Sequence, residues 1–360
     1  MKIAIIGTRG IPNNYSGFEQ FAEYLSQHLV KSGHEVYVYN SHNHIYQEKE
    51  WKGVNIIHKM DPEYIFGTFG QFIYDFNSIL DSRKRGYDAI LQLGYTSSSV
   101  WGWLLPKKSI IFSNMDGLEW KRSKYSKPVR YFLKYAEKWA IKTSDFLISD
   151  SLGIQDYLQD KYGQESEYIA YGAKLFNEPS EQIIKEYGVD KYQYDMLIAR
   201  FEPENNLEVI LDGVVASKKR QTFLVVGNHQ TKFGGYLKNK FKDYQNIRFL
   251  GGIFNIGHLN NLRYYSNLYF HGHSVGGTNP SLLEAMASNC FIIAHDNLFN
   301  KGILGKDAEY FSNSDDVAQA MNLQKSDHVV FVENNKRKID SNFRWDIINK
   351  KYEDFICSKL

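Results

Sequence analysis

Two α/β domains, each a doubly wound parallel sheet, are what this chain predicts, on three observations. Short apolar runs alternate with amphipathic helical stretches along nearly the whole sequence, the pattern of strands joined by crossover helices. The alternation lapses in a polar segment, Lys174 to Lys191, and then restarts. The length, 360 residues, exceeds what one hydrophobic core ordinarily supports.

The elements follow in order. Lys2 to Ile6 is an apolar run ending in Gly7-Thr-Arg-Gly10, and Phe18 to Lys31 carries apolar residues at Phe21, Ala22, Leu25 and Leu29, which reads as strand, loop, helix. Gly33 stops that helix and Val36 to Tyr39 is the next strand. Further strands are expected at Val54 to Ile57, Ala89 to Leu93, Ile110 to Phe112 and Phe146 to Ser149. The uncharged stretch Ala89 to Pro106 approaches the length of a membrane span but carries Gln92, Gly94, Thr96 and serines. It reads instead as a strand followed by a Ser-capped helix. After Tyr168-Ile-Ala-Tyr-Gly-Ala173 the second series has strands at Met196 to Ala199, Thr222 to Val226, Ile247 to Leu250, Leu268 to His271 and Phe291 to Ala294. Helices are expected at Leu207 to Ala216 and Ser281 to Ala287, and Phe343 to Cys357 is an amphipathic helix that periodicity alone cannot place. The domains are therefore drawn at 1–175 and 190–342.

Bulk properties narrow the class. A net charge of +2 makes no demand for a nucleic-acid partner. Cys290 and Cys357 are too few for a disulfide framework, which fits a reducing compartment, and the apolar run at the amino terminus is too short for a signal peptide. A cytoplasmic protein is expected.

Chemistry concentrates at the ends of the expected strands, where ligands bind in open parallel sheets. In His271-Gly-His-Ser-Val-Gly-Gly-Thr-Asn-Pro-Ser-Leu-Leu-Glu284, Gly276 and Gly277 can bring backbone N–H groups to an anion, Thr278 or Asn279 can cap a helix, and Pro280 suits its first turn. Glu284 then lies roughly 6 Å along the axis, placed to accept hydrogen bonds from sugar hydroxyls. The stretch fits a diphosphate cradle, and equally an ordinary glycine-rich turn with an exposed Glu. Arg200 suits bidentate contact with a phosphate, or pairing with Glu202 and Glu204 on the surface. Asn114-Met-Asp-Gly-Leu-Glu119 sets two carboxylates after a strand; Asp116 is the candidate for binding an acceptor hydroxyl, while Glu119 fits a helix cap as well. His271 and His273 have metal-ligand spacing but no third ligand, so packing or hydrogen bonding is their expected role. The first loop, Gly7 to Gly17, lacks the G-x-G-x-x-G fingerprint, and Asn40 stands where a dinucleotide enzyme usually has an acidic ribose ligand. From Trp120 to Lys134, Lys121, Arg122, Lys124, Lys127, Arg130 and Lys134 interleave with Trp120, Tyr125, Tyr131 and Phe132. That run reads as a solvated helix face or as a patch for anionic lipid headgroups.

Taken together, Gly7-Thr-Arg-Gly-Ile-Pro with Gly17-Phe-Glu19, Met115-Asp-Gly-Leu-Glu-Trp-Lys-Arg122, Ala199-Arg-Phe-Glu-Pro-Glu-Asn-Asn206 and the 271–284 stretch resemble the glycosyltransferases of family 4. The bacterial rhamnosyltransferase-like branch is the nearest likeness, over nearly the whole length. The resemblance implies a GT-B fold, with two Rossmann-like domains facing a cleft: an acceptor-binding one at 1–175, onto which the helix 343–360 returns, and a nucleotide-sugar-binding one at 190–342. It implies a retaining, metal-independent transferase with no cofactor, moving a sugar such as L-rhamnose from a dTDP-, UDP- or GDP-linked donor. The acceptor would be a saccharide or a polyprenyl-diphosphate-linked one in polysaccharide assembly, reached from the cytoplasm or the inner face of its membrane. Arg200 matches the diphosphate-binding arginine and Glu284 the second glutamate of an E-x7-E motif that holds the ribose. Asp116 falls where many members carry an acceptor-side histidine. Gly10, Gly276, Gly277, Thr278 and Asn279 complete the donor set, with Arg9, Gly17, Lys232, His273 and Glu119 as secondary candidates. Two departures stand out: the first glutamate of the motif falls at Gly276, and the lysine that partners the arginine is replaced around Asn205. An NAD-dependent nucleotide-sugar oxidoreductase and a non-catalytic GT-B component of an assembly complex are the competing readings.

Overall fold

The computed structural model describes residues 1–14, 17–122 and 125–360. Its contacts divide the chain into one unit of Met1–Lys121, Tyr125–Tyr171 and Trp345–Leu360, and a second of Gly172–Arg344 together with Arg122.

In the first unit the strands are β1 (Lys2–Ile6), β2 (Glu35–Ser41), β3 (Glu50–Trp51), β4 (Val54–Lys59), β5 (Ala89–Leu93), β6 (Ile110–Asn114), β7 (Phe146–Ser149) and β8 (Glu167–Tyr168). Among the described residues they form one sheet ordered β3-β4-β2-β1-β5-β6-β7-β8. Every pairing is parallel except β3 with β4, a hairpin that turns through Lys52 and Gly53, both at positive φ. The apolar residues of β1 and β5 are fully buried because helices cover both faces of a doubly wound sheet. The helix Gly17–Lys31 lies against the final helix, Trp345–Cys357. Trp345 stacks on Tyr24 at 4.5 Å between centroids, Phe21 meets Tyr352 at 4.7 Å, and Glu353 takes a hydrogen bond from His28 at 2.9 Å.

The second unit has β9 (Tyr194–Ile198), β10 (Thr222–Val226), β11 (Ile247–Gly251), β12 (Tyr269–His271), β13 (Ile292–His295) and β14 (Glu309–Phe311). They pair in parallel in the order β11-β10-β9-β12-β13-β14. Leu197, Val225, Phe270 and Ile293 project from this sheet into a core completed by Leu207, Ile210 and Leu211 of the helix Leu207–Ala216. In both units the strand order reverses direction beside the first strand, between β1 and β5 and between β9 and β12. Those are the switch points at which doubly wound sheets open a crevice at their carboxyl ends.

One local expectation fails. The segment after β5 is a 3₁₀ helix, Ser98–Leu104, and Ser97 does not cap it. The Ser97 hydroxyl instead donates to the buried Asp75 carboxylate at 2.5 Å, a distant partner that outcompetes the local one.

Candidate functional site

The switch point of the second sheet is built by two loops, one after β9 and one after β12. In the first, Arg200 follows the end of β9 and is exposed, the next residue, Phe201, is buried in the core, and Asn206 takes a left-handed conformation at φ 52. Asn205 donates from Nδ2 to the Arg200 carbonyl at 2.8 Å, and its Oδ1 lies 2.9 Å from Nδ1 of His273. Asn206 reaches the Gly272 carbonyl at 2.8 Å, and Ser274 donates both its backbone N–H and its hydroxyl to the Glu204 carbonyl. The two loops are therefore laced together by neutral hydrogen bonds. Asn205 stands where the resemblance expects a lysine, and it serves as a strut.

The second loop ends in the helix Pro280–Ala287. Asn279 caps it, accepting from the Ser281 N–H at 2.9 Å, with Pro280 in the first turn; Thr278 is buried beside the cap. Gly276 adopts φ +127, and a Cβ there would stand 3.1 Å from Nε2 of His273, so glycine meets both a backbone and a steric requirement. Gly277 follows it in the same bend. Burial holds the His273 imidazole well below its ordinary value and brings His271 down to about 3, with Arg263 adding to the latter, so both rings are neutral. Among the described residues no group of three or more His, Cys, Asp or Glu side chains is arranged to hold a metal ion. After β10, Thr231 caps the helix Lys232–Lys240 and leaves Lys232 exposed at its start.

Glu284 has a partner that sequence reasoning missed. Arg263, on the helix Ile256–Tyr265, donates from Nη2 to Glu284 Oε2 at 2.7 Å and to the Ser281 hydroxyl at 3.1 Å, and from Nη1 to Asn260 Oδ1 at 3.0 Å. Its side chain is 1% exposed against 23% for Glu284. The guanidinium therefore grips the carboxylate from beneath, through one oxygen, while part of it reaches solvent. Nothing in the local pattern of Asn260-Asn-Leu-Arg263 marks an arginine as buried.

The switch point of the first sheet is organised by a different set of buried polar groups. Glu19, 2% exposed at the start of the helix Gly17–Lys31, accepts from the Arg9 N–H at 2.8 Å and from the Thr8 hydroxyl at 3.1 Å. Asn40, fully buried, accepts from the Ile11 N–H at 3.1 Å and donates to the Ile11 carbonyl at 2.8 Å. Gly10, at φ +129, is held so close to that amide that a Cβ would come within 2.4 Å of the Asn40 Cγ. The position that carries a ribose carboxylate in dinucleotide enzymes is here a clamp on the first loop. The Arg9 guanidinium is engaged bidentately by Glu63, at 2.9 and 2.8 Å.

Asp116 takes a left-handed conformation at φ 36, and its N–H donates to Asn114 Oδ1 at 2.9 Å. Asn114 in turn donates from Nδ2 to the Tyr352 hydroxyl at 2.9 Å, so the final helix supports the turn that presents Asp116. Glu119 opens a short 3₁₀ turn, Glu119–Lys121. The structure thus gathers Arg200, His273, Gly276 to Asn279 and Glu284 around the second switch point, and places Arg9, Gly10 and Asp116 in loops of the first unit, Gly17 at the start of its first helix and Glu119 in a 3₁₀ turn.

Comparison with known proteins bears on the fold. Residues 107–174, which include Asp116, match a family described as a domain of unknown function, DUF1972. No curated protein matches the chain in sequence. Among solved structures, sucrose-phosphate synthase from Thermosynechococcus elongatus is 15% identical, with a TM-score of 0.81 over 99% of this chain and 98% of that one. Anabaena HepE, solved with UDP-glucose, is 13% identical, with a TM-score of 0.78 over 99% of each chain. WaaG, a glycosyltransferase involved in lipopolysaccharide biosynthesis, is 13% identical, with a TM-score of 0.70 over 99% of each. The fold is GT-B. At these identities the likeness speaks for architecture alone.

Proposed function

We propose that this chain is a retaining, metal-independent glycosyltransferase that moves a sugar from a nucleotide-diphosphate donor to a saccharide or lipid-linked acceptor on the cytoplasmic side, in bacterial polysaccharide assembly. The observation that carries the reading is the second switch point. An exposed arginine, a glycine bend with backbone N–H groups, a capped helix N-terminus and a partly exposed carboxylate follow the ends of two adjacent strands. Those are the groups a sugar nucleotide needs: cation and dipole for the diphosphate, carboxylate for ribose hydroxyls. That Anabaena HepE was solved with UDP-glucose supports the donor class. The first unit is assigned the acceptor, with Asp116 receiving its hydroxyl. L-rhamnose from its dTDP form is the donor that the branch resemblance favours.

In this reading the acceptor oxygen attacks the anomeric carbon on the face the nucleotide leaves. The bond from that carbon to the diphosphate breaks, the new glycosidic bond forms on the same face, and a diphosphate oxygen takes the acceptor proton. No protein nucleophile is needed. Stabilising the departing diphosphate is the main task, shared by Arg200 and the helix start at Thr278 to Ser281.

The test is thermal stabilisation of the purified protein, without added metal, by UDP-, dTDP- and GDP-sugars and by NAD(H). A ligand at about 100 times its Kd adds about 2.7 kcal/mol. A shift with one nucleotide sugar supports the reading and names the donor for transfer assays, in which the product should keep the donor's anomeric configuration. A response to NAD(H) alone overturns it.

A further inference from the structure

The basic aromatic run singled out in the sequence does not present its whole length. Ser123 and Lys124 lie outside the described residues, and Arg122 is buried. The Trp120 ring is enclosed: Lys134 and Lys161 stand 4.3 and 5.0 Å from its centroid, and its N–H donates to Glu137 at 3.2 Å. Glu137, only 1% exposed, also accepts from Tyr157 at 2.7 Å and Tyr162 at 2.5 Å.

What faces outward is the helix beyond it, Lys127–Thr143. Leu133, Ala136, Glu137 and Ala140 are its buried side. At 3.6 residues per turn the opposite side collects Lys127, Tyr131, Tyr135, Lys138 and Lys142, all exposed. Tyr131 is 65% exposed. Five cations lie on this helix, Lys127, Arg130, Lys134, Lys138 and Lys142, and its single acid is the buried Glu137, so its outer side is basic without exception.

A line of rings extends this side onto a neighbouring segment. Tyr131 meets Tyr135 at 5.3 Å, Tyr135 meets Trp139 at 6.2 Å, Trp139 meets Phe132 at 6.2 Å, Phe132 meets Phe72 at 5.8 Å and Phe72 meets Phe69 at 5.7 Å. Around Phe69 the chain exposes Met60, Tyr64, Ile65 and Phe66, an unusual run of large apolar side chains for a surface. The carboxylates of that segment offset none of the neighbouring positive charge. Asp61 and Asp75 are buried, Glu63 is bound to Arg9, and Asp81 is bound to Lys59 and Arg85.

We infer that the outer side of helix Lys127–Thr143, continued through Phe69 to the apolar residues 60–66, docks on an anionic lipid surface. Lysines at headgroup level, Tyr and Trp between them, and an aliphatic and aromatic edge able to enter the acyl boundary are what a helix lying in that interface requires. A nucleic acid would use the cations and rings but has no use for Met60 and Ile65. Among the described residues no helix is long and apolar enough to cross a membrane. The contact stands apart from the catalytic reading, because it depends on no donor or acceptor.

Sedimentation of the full chain with phosphatidylcholine vesicles, with and without phosphatidylglycerol, tests this without any sugar present. Binding is expected only to the anionic vesicles and should weaken with salt. The combined change Lys127→Gln, Lys138→Gln and Lys142→Gln should lower partitioning on the order of a hundredfold. Lys238→Gln with Lys242→Gln, two exposed cations of the second unit, should leave it unchanged. Equal binding to neutral vesicles, no binding to either, a triple variant that binds like the parent, or a preference for a single-stranded oligonucleotide would each overturn the inference.

Discussion

Replacing Arg263 by methionine keeps an aliphatic stem of similar length and removes the guanidinium that holds Glu284. Three contacts go at once: to Glu284 Oε2 at 2.7 Å, to the Ser281 hydroxyl at 3.1 Å and to Asn260 Oδ1 at 3.0 Å. Breaking a buried ion pair from one side costs ~3–5 kcal/mol, because the other charge is left without a partner. Here the Glu284 side chain is 23% exposed, so water can approach the carboxylate from its open side, and the expected loss is at the lower bound, about 3 kcal/mol. The assay has to see the right unit. All six tryptophans, at 51, 101, 103, 120, 139 and 345, belong to the first unit, so their fluorescence would not register the loss. Native-state hydrogen exchange of the amides in helix Ile256–Tyr265 would, as exchange about a hundredfold faster than in the parent. Adding Glu284→Gln removes the stranded charge and should return at least about 1 kcal/mol. Exchange within about threefold of the parent in Arg263→Met would refute the argument, since an ion pair this enclosed would then be contributing almost nothing.

Arg200 is exposed, so Arg200→Ala should leave stability unchanged while lowering the transfer rate on the order of a hundredfold, ~3 kcal/mol of transition-state stabilisation; a loss of only a few-fold would remove it from the diphosphate site. Burial raises the Asp75 carboxyl to about 7, against the lowering effect of the Ser97 hydrogen bond. The folded state therefore holds a proton that the unfolded chain releases near pH 4, and stability should fall as pH rises from there to about 7. Between pH 5 and 8 the drop is about 2–3 kcal/mol in urea unfolding followed by tryptophan fluorescence, Asp75→Asn should flatten it, and a flat parent profile would contradict the assignment. Gly10→Ala places a methyl group within 2.4 Å of the Asn40 Cγ at a φ of +129, which should cost the first unit ~2 kcal/mol or more; unchanged unfolding would mean that the first loop yields freely.

What was legible depended on how local the cause was. Phe146–Ser149, Thr222–Val226 and the helix Leu207–Ala216 have the bounds their sequence suggests, because apolar runs bracketed by turn residues leave one solution. β3, β8 and β14 are not legible in the sequence. They are two or three residues long, each begins with a glutamate, and they exist because a neighbouring strand offers hydrogen bonds. The glycines, Pro280 and the Asn279 cap are local grammar too, and they made the second loop readable. Arg263 with Glu284, Asn40 with Ile11 and Asn114 with Tyr352 are pairs 21, 29 and 238 residues apart, and no period or spacing carries such a relation.

These distant pairs share a physical logic that bears on the missing lysine. Each switch-point loop is fixed by a buried amide: Asn40 grips Ile11 in the first unit, and Asn205 ties Arg200 to His273 in the second. A neutral amide can donate and accept at once and carries no Born penalty, so it can be buried at a loop without an ionic partner. Asn205 is 5% exposed, and a lysine in that place would have to keep its charge close to Arg200 or give it up. The substitution therefore exchanges charge for rigidity. Arg200 becomes the side-chain cation of these two laced loops, His271 and His273 being held neutral, and in the proposed reading the rest of the diphosphate charge would fall to backbone N–H groups at Gly276 and Gly277. A site built this way has its donors in place before a ligand arrives, the condition under which fixed dipoles are most effective.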